Sequence, residues 1–145
     1  MSYYLDPNKF TERLRTEWEQ YNGLIIAVDF DSTLFPFWEY EQGHDYAQVH
    51  QLIRDCVSYG CTIIINTAAS VVRHPAIKHY LEINRIPYHY FNESPSFIND
   101  IGRGSKVYAN VYLDDRAGMY QVFQTLSLLL LERKNASLER WKLNS

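Results

Sequence analysis

Cysteine is scarce in this chain. Cys56 and Cys61 are the two among 145 residues, and their spacing matches neither a zinc site nor a redox pair. They are expected to be buried thiols of a reducing compartment, which makes the expected location cytoplasmic. Long apolar runs are missing too. The run Leu128 to Leu131 is far too short to cross a bilayer, so no membrane partner is expected. The first residues lack the charged-then-apolar pattern of a secretory leader. Nor is there an excess of basic residues. Fourteen Lys and Arg against seventeen Asp and Glu give a net charge of -3, which argues against a long nucleic acid as partner. No internal repeat or linker interrupts the chain. The remaining composition, 46% hydrophobic and 21% charged, is that of an ordinary globular protein. The length suits one domain over residues 1–145.

What the sequence does have is a buried-strand pattern that ends in acids. Leu24 to Val28 is an uninterrupted apolar run, and Asp29-Phe30-Asp31-Ser32-Thr33 follows it. Such a run reads as a strand covered on both faces. Paired acids at its end put charge at the edge of a core, where it must be solvated, paired or metal-bound. A lone pair of this kind could equally be a turn that caps the next element.

Asp6-Pro7 opens a helix over about 6–22, with Phe10, Leu14, Trp18 and Tyr21 on one face. Asn22-Gly23 stops it, and the rest of the core is expected over about 24–134. Leu34 to Tyr40 is aromatic and broken by Pro36, which predicts a loop or short hairpin beside the strand end. Asp45 is expected to cap a helix that ends at Gly60. Cys61 to Ile65 is a second apolar strand, with Asn66-Thr67 at its end. His74-Pro75 opens a helix to about Asn84. A short strand is expected over 88–91, a loop over 92–105 and a strand over 107–113 that ends in Asp114-Asp115. A helix over about 118–134 follows, with a tail that could extend it. Its run of four leucines covers all sides, so some could pack on another subunit, and a homo-oligomer is left open.

Alternating strands and helices predict an α/β, Rossmann-like three-layer sandwich with a central parallel sheet. Ligands of such sheets bind at the carboxyl ends of the strands. Asp29 and Asp31, Thr67, and Asp114 with Asp115 all stand at such ends. Four carboxylates crowded together call for cations: a hard divalent ion such as magnesium, and a lysine, for which Lys106 is the candidate.

These residues, in this order, resemble the four motifs of the haloacid dehalogenase superfamily of phosphatases. Asp29 to Thr33 is similar to its D-x-D-x-T motif, with Ser32 where glycine is commoner. Ile63 to Thr67 resembles its second motif, Lys106 the lysine of its third, and Val111 to Asp115 the acid pair of its fourth. In this order and context the four matches together are strong. The resemblance spans about residues 24–116 and is similar to small members found in bacteria and phages. It implies a magnesium-dependent phosphomonoesterase in which Asp29 is the nucleophile and Asp31 the general acid and base. Magnesium would then sit among Asp29, Asp31 (through its main-chain carbonyl), Asp114 and Asp115. Thr67 and Lys106 would hold the phosphate. A non-catalytic binding module of the same fold, or a phosphotransferase, is the alternative. Too few residues lie between the motifs for a cap domain, which needs at least about 50. The site is therefore expected to be open. Ala68-Ala69 stand where relatives often carry a polar residue, which turns attention to Arg73. Phe35 and Trp38 are candidates for stacking on a nucleotide or a polynucleotide end.

Overall fold

The computed structural model describes residues 2–98, 104 and 106–144. Part of the loop expected over 92–105, namely residues 99–103 and 105, lies outside the described residues. Helix α1 (Pro7–Tyr21) starts where the Asp6 side chain accepts the Asn8 N–H, and it stops at Asn22 in the left-handed conformation. Strand β1 (Ile25–Val28) follows. Then come helix α2 (Ala47–Ser58), strand β2 (Thr62–Ile65) and helix α3 (His74–Ile83). Strand β3 (Tyr90–Phe91), strand β4 (Val111–Leu113) and helix α4 (Met119–Asn144) complete the order.

The four strands form one sheet in the order β3-β2-β1-β4, and every pairing is parallel. The result is the expected α/β, Rossmann-like fold. The two faces are covered differently. Ile26, Val28, Ile63, Ile65, Val111 and Leu113 belong to the main core, which takes in the buried residues of α1, α2, α3 and α4. Burying each of these aliphatic side chains stabilises by ~1.5–3 kcal/mol. Ile25, Ala27 and Ile64 form a second cluster on the other face. Among the described residues, Tyr90, Ile98, Val107, Tyr108, Ala109 and Tyr112 pack against it.

Some boundaries differ from expectation. Strand β4 is shorter than 107–113 because residues 107–109 fold onto the second cluster. At residue 110 the Asn side chain, not only the backbone, pairs with β1: Oδ1 accepts the Ile25 N–H at 2.7 Å. Asp45 does not cap α2. It lies in a 3-10 turn over Gly43–Tyr46, and its carboxylate faces His44 at 3.2 Å. Tyr21 is 65% exposed, outside the buried stripe. Helix α4 runs through the tail to Asn144. At the far end of the sheet from the acids, Gly23 and Gly60 touch: a Cβ on Gly23 would stand 2.1 Å from the Gly60 oxygen, and φ there is +149°. No helix among the described residues is long and apolar enough to cross a membrane.

Candidate active site

The register of the sheet decides which residues meet. Val28 pairs with Ile65 on one side and with Leu113 on the other. The next residues, Asp29, Asn66 and Asp114, therefore leave three neighbouring strands at one level. The Asp29 N–H donates to the Leu113 oxygen at 3.0 Å, and the Asn66 N–H to the Val28 oxygen at 2.9 Å. The central position of β1 brings together acids 85 residues apart in sequence (114 − 29).

After Asp29 the chain turns tightly. The N–H groups of Thr33, Leu34 and Phe35 all point at the Phe30 oxygen, at 3.3, 2.9 and 3.1 Å. Ser32 takes φ +62° inside this turn, a conformation that glycine adopts without steric cost. Thr33 is completely buried. Its hydroxyl faces Asp29 Oδ2 at 3.3 Å and Asp115 Oδ1 at 3.4 Å, and it accepts the Asp115 N–H at 3.1 Å. Thr33 thus ties the first acid motif to the last.

Asp29, Asp114 and Asp115 each offer a carboxylate oxygen, and these oxygens lie within 4.8 Å of one another. Burial, a hydrogen bond shared with Asp115 and the charge of Asp114 push the Asp29 carboxyl up to about 7, against the opposing pull of the Phe30 N–H. Among the described residues, no Lys or Arg side chain forms an ion pair with any of the three. Three oxygen donors short of positive charge fit a hard divalent cation.

Asp31 is separate from this group. Arg73 Nη1 donates to its Oδ2 at 2.7 Å and Nη2 to its Oδ1 at 2.8 Å. The Asp31 side chain is therefore not a member of the carboxylate cluster of Asp29, Asp114 and Asp115. Thr67 stands at the cleft, where its hydroxyl oxygen accepts the Ala69 N–H at 3.1 Å. That leaves the hydroxyl hydrogen able to donate to a ligand. The Asn92 side chain fixes the Thr67 backbone by accepting its N–H at 2.7 Å.

Asp29, Asp31, Thr67, Arg73, Asp114 and Asp115 all line one cleft of about 510 Å³, together with Phe37, Trp38 and Arg116. Two expected residues do not line it. Lys106 lies with its ammonium 5.0 Å from the centre of the Tyr112 ring, because the chain before β4 approaches along the second face of the sheet. Phe35 is partly buried and packs against the core: its ring stacks on Phe30 at 5.3 Å and meets Tyr80 edge-on at 5.1 Å. Trp38 is at the cleft as expected, paired edge-on with Phe37 at 4.9 Å, and the two are 50% and 46% exposed.

Glu41 is a residue that sequence reasoning missed. It accepts the Ser32 hydroxyl at 2.6 Å, the Phe37 N–H at 3.2 Å and the Tyr46 hydroxyl. These bonds outweigh the upward push of burial and hold the Glu41 carboxyl below its ordinary range. They also fold the aromatic segment back over the first motif. Nothing in the local pattern marks Glu41, since its partners are side chains and a backbone group of a loop.

No protein-family model matches the chain, and no curated protein matches it. Among solved structures it is similar to a conserved protein coded by a locus from Bacteroides thetaiotaomicron. The TM-score is 0.58 at 15% identity, over 73% of this chain and 91% of that one. This similarity is one of fold.

Proposed function

We propose that the chain is a magnesium-dependent phosphomonoesterase that works through an aspartyl-phosphate. The observation that carries the reading is the convergence of Asp29, Asp114 and Asp115, within 4.8 Å, on a cleft that also holds Asp31, Thr67 and Arg73. The motif order similar to that of the haloacid dehalogenase superfamily supports it. Asp29, Asp114 and Asp115 would hold the ion. When bound, magnesium would supply positive charge against the developing negative charge of phosphoryl transfer.

The chain's own groups would do the rest. An oxygen of Asp29 forms a bond to phosphorus as the bond to the ester oxygen breaks. Asp31 gives its proton to that departing oxygen, and then takes one from the water that cleaves the aspartyl-phosphate. Inorganic phosphate leaves and Asp29 is regenerated. The Thr67 hydroxyl and the Arg73 guanidinium face the phosphate oxygens. Thr33 keeps Asp29 and Asp115 at a fixed separation. The exposed Trp38 and Phe37 give the ester's organic part a planar surface, which suits a nucleotide or a polynucleotide end. The buried free thiols Cys56 and Cys61 fit a cytoplasmic protein.

The test is hydrolysis of p-nitrophenyl phosphate and of nucleoside monophosphates, with magnesium and with a chelator. Turnover should require magnesium and vanish in Asp29→Asn, because an amide cannot form the acyl-phosphate. Turnover that survives either change would reject the mechanism.

A further inference from the structure

Arg73 engages Asp31 in a geometry that hydrolysis could not use. Its Nη1 and Nη2 take both carboxylate oxygens, at 2.7 and 2.8 Å, so the carboxylate faces the arginine. The guanidinium also lies 5.6 Å from the centre of the Phe37 ring. The pair is not sealed in the core. Its side chains keep 37% and 25% of their exposure, and both residues line the cleft.

A partly exposed ion pair of this kind contributes little net stability. The same planar fork that fits a carboxylate fits a phosphate equally well. Phe37 gives the guanidinium a ring face along which it can turn from one anion to the other. Arg73 is therefore an anion-binding fork of the cleft for which a carboxylate of the protein competes.

We infer that Arg73 is an exchangeable latch: it clamps Asp31 in the resting protein, and a phosphate monoester dianion entering the cleft takes the guanidinium and frees Asp31 toward the ligand. The class of ligand rests on the phosphomonoesterase reading. Arg73 thus holds the phosphate directly and, through Asp31, sets when that carboxylate is free. It also makes the site selective, because a neutral ligand has nothing to offer the fork and leaves Asp31 clamped.

The latch predicts an inverted effect that binding can read without turnover. Inorganic phosphate is titrated calorimetrically into the full chain in magnesium buffer. Asp31→Asn removes the competitor, so phosphate should bind about tenfold more tightly than to the wild type. Arg73→Gln should weaken binding, and adding Asp31→Asn to it should restore almost nothing. Arg73→Lys, which keeps the charge without the fork, should show a reduced gain. An equal gain with and without Arg73 would mean that Asp31→Asn merely removes negative charge, and would overturn the latch. So would the absence of any gain, or of phosphate binding by both the wild type and Asp31→Asn. Hydrolysis of p-nitrophenyl phosphate by the wild type is followed separately. Coupled binding without turnover would reject the esterase and keep the latch, and turnover without coupling would do the reverse.

Discussion

Replacing Asp29 by Asn should remove activity and stabilise the metal-free protein. In the fold, burial, the bond with Asp115 and the charge of Asp114 raise the Asp29 carboxyl from an ordinary 3.8 to about 7. Between those values the folded carboxyl holds a proton that the unfolded chain has released. The stability that this proton contributes is complete below 3.8 and is lost as pH rises through about 7. A displacement of that size corresponds to ~4 kcal/mol. Asp29 is only half-buried, so solvent screening reduces this to ~2 kcal/mol. At pH 8 in chelator, the wild type carries the whole penalty of an ionised Asp29 beside two other acids. The amide of the variant carries none and keeps an oxygen for the Thr33 hydroxyl. For a domain of this size, Asp29→Asn should melt about 4–8 °C above the wild type. The gap should be smaller at pH 5, where Asp29 is protonated in the fold, and should vanish only below 3.8, where the unfolded chain is protonated as well. Magnesium at pH 8 should raise the melting temperature of the wild type more than that of the variant, which lacks one of the three proposed ligands. Differential scanning fluorimetry at the two pH values, with and without magnesium, measures all four quantities. If Asp29→Asn melts at or below the wild type at pH 8 in chelator, or the gap is the same at pH 5, the electrostatic account of the cluster is wrong.

Two further outcomes concern catalysis. Asp31→Asn should slow turnover of nucleoside monophosphates by about 10²-fold or more, and that of p-nitrophenyl phosphate less, because its leaving group hardly needs a proton; equal losses in steady-state kinetics would make Asp31 structural. Trp38→Ala should raise KM for nucleotides about tenfold with little change for p-nitrophenyl phosphate, since a stacked base is worth ~1–3 kcal/mol; losses alike for both would remove the support for a nucleotide.

The sheet and its acid-bearing edge were legible because they depend on uninterrupted apolar runs. Ile25–Val28 and Thr62–Ile65 are strands of the expected parallel sheet, and that topology alone brings Asp29 to Asp114. Contacts made across loops were not legible. Lys106 stands a few residues before an apolar strand, and the sequence does not say that residues 107–109 fold onto the second face of the sheet. Phe35 and Trp38 are three residues apart in one aromatic segment. The turn around the Phe30 oxygen sends the first inward to Tyr80 and leaves the second at the cleft. The Arg73 fork on Asp31 joins residues 42 apart; the sequence points to Arg73 as a substrate contact, and no local pattern pairs it with Asp31.

The order of strands β3-β2-β1-β4 also fixes when this site can exist during synthesis. Strand β1 gains its first neighbour at β2, but its other edge waits for β4, which ends at Leu113. At translation rates of about 5–20 residues per second, the 85 residues between Val28 and Leu113 (113 − 28) take roughly 4–17 s to appear. Throughout that interval one edge of an all-apolar strand is an open template for pairing with other chains. Asp29 meanwhile has neither Asp114 nor Asp115 beside it. Helix α1 waits as well: its Arg15 reaches Glu132 of α4 at 2.9 Å, a partner made later still. A nascent chain stalled before β4 would carry the first acids and have no carboxylate cluster, so the cluster and the completed central sheet should arrive together, late in synthesis.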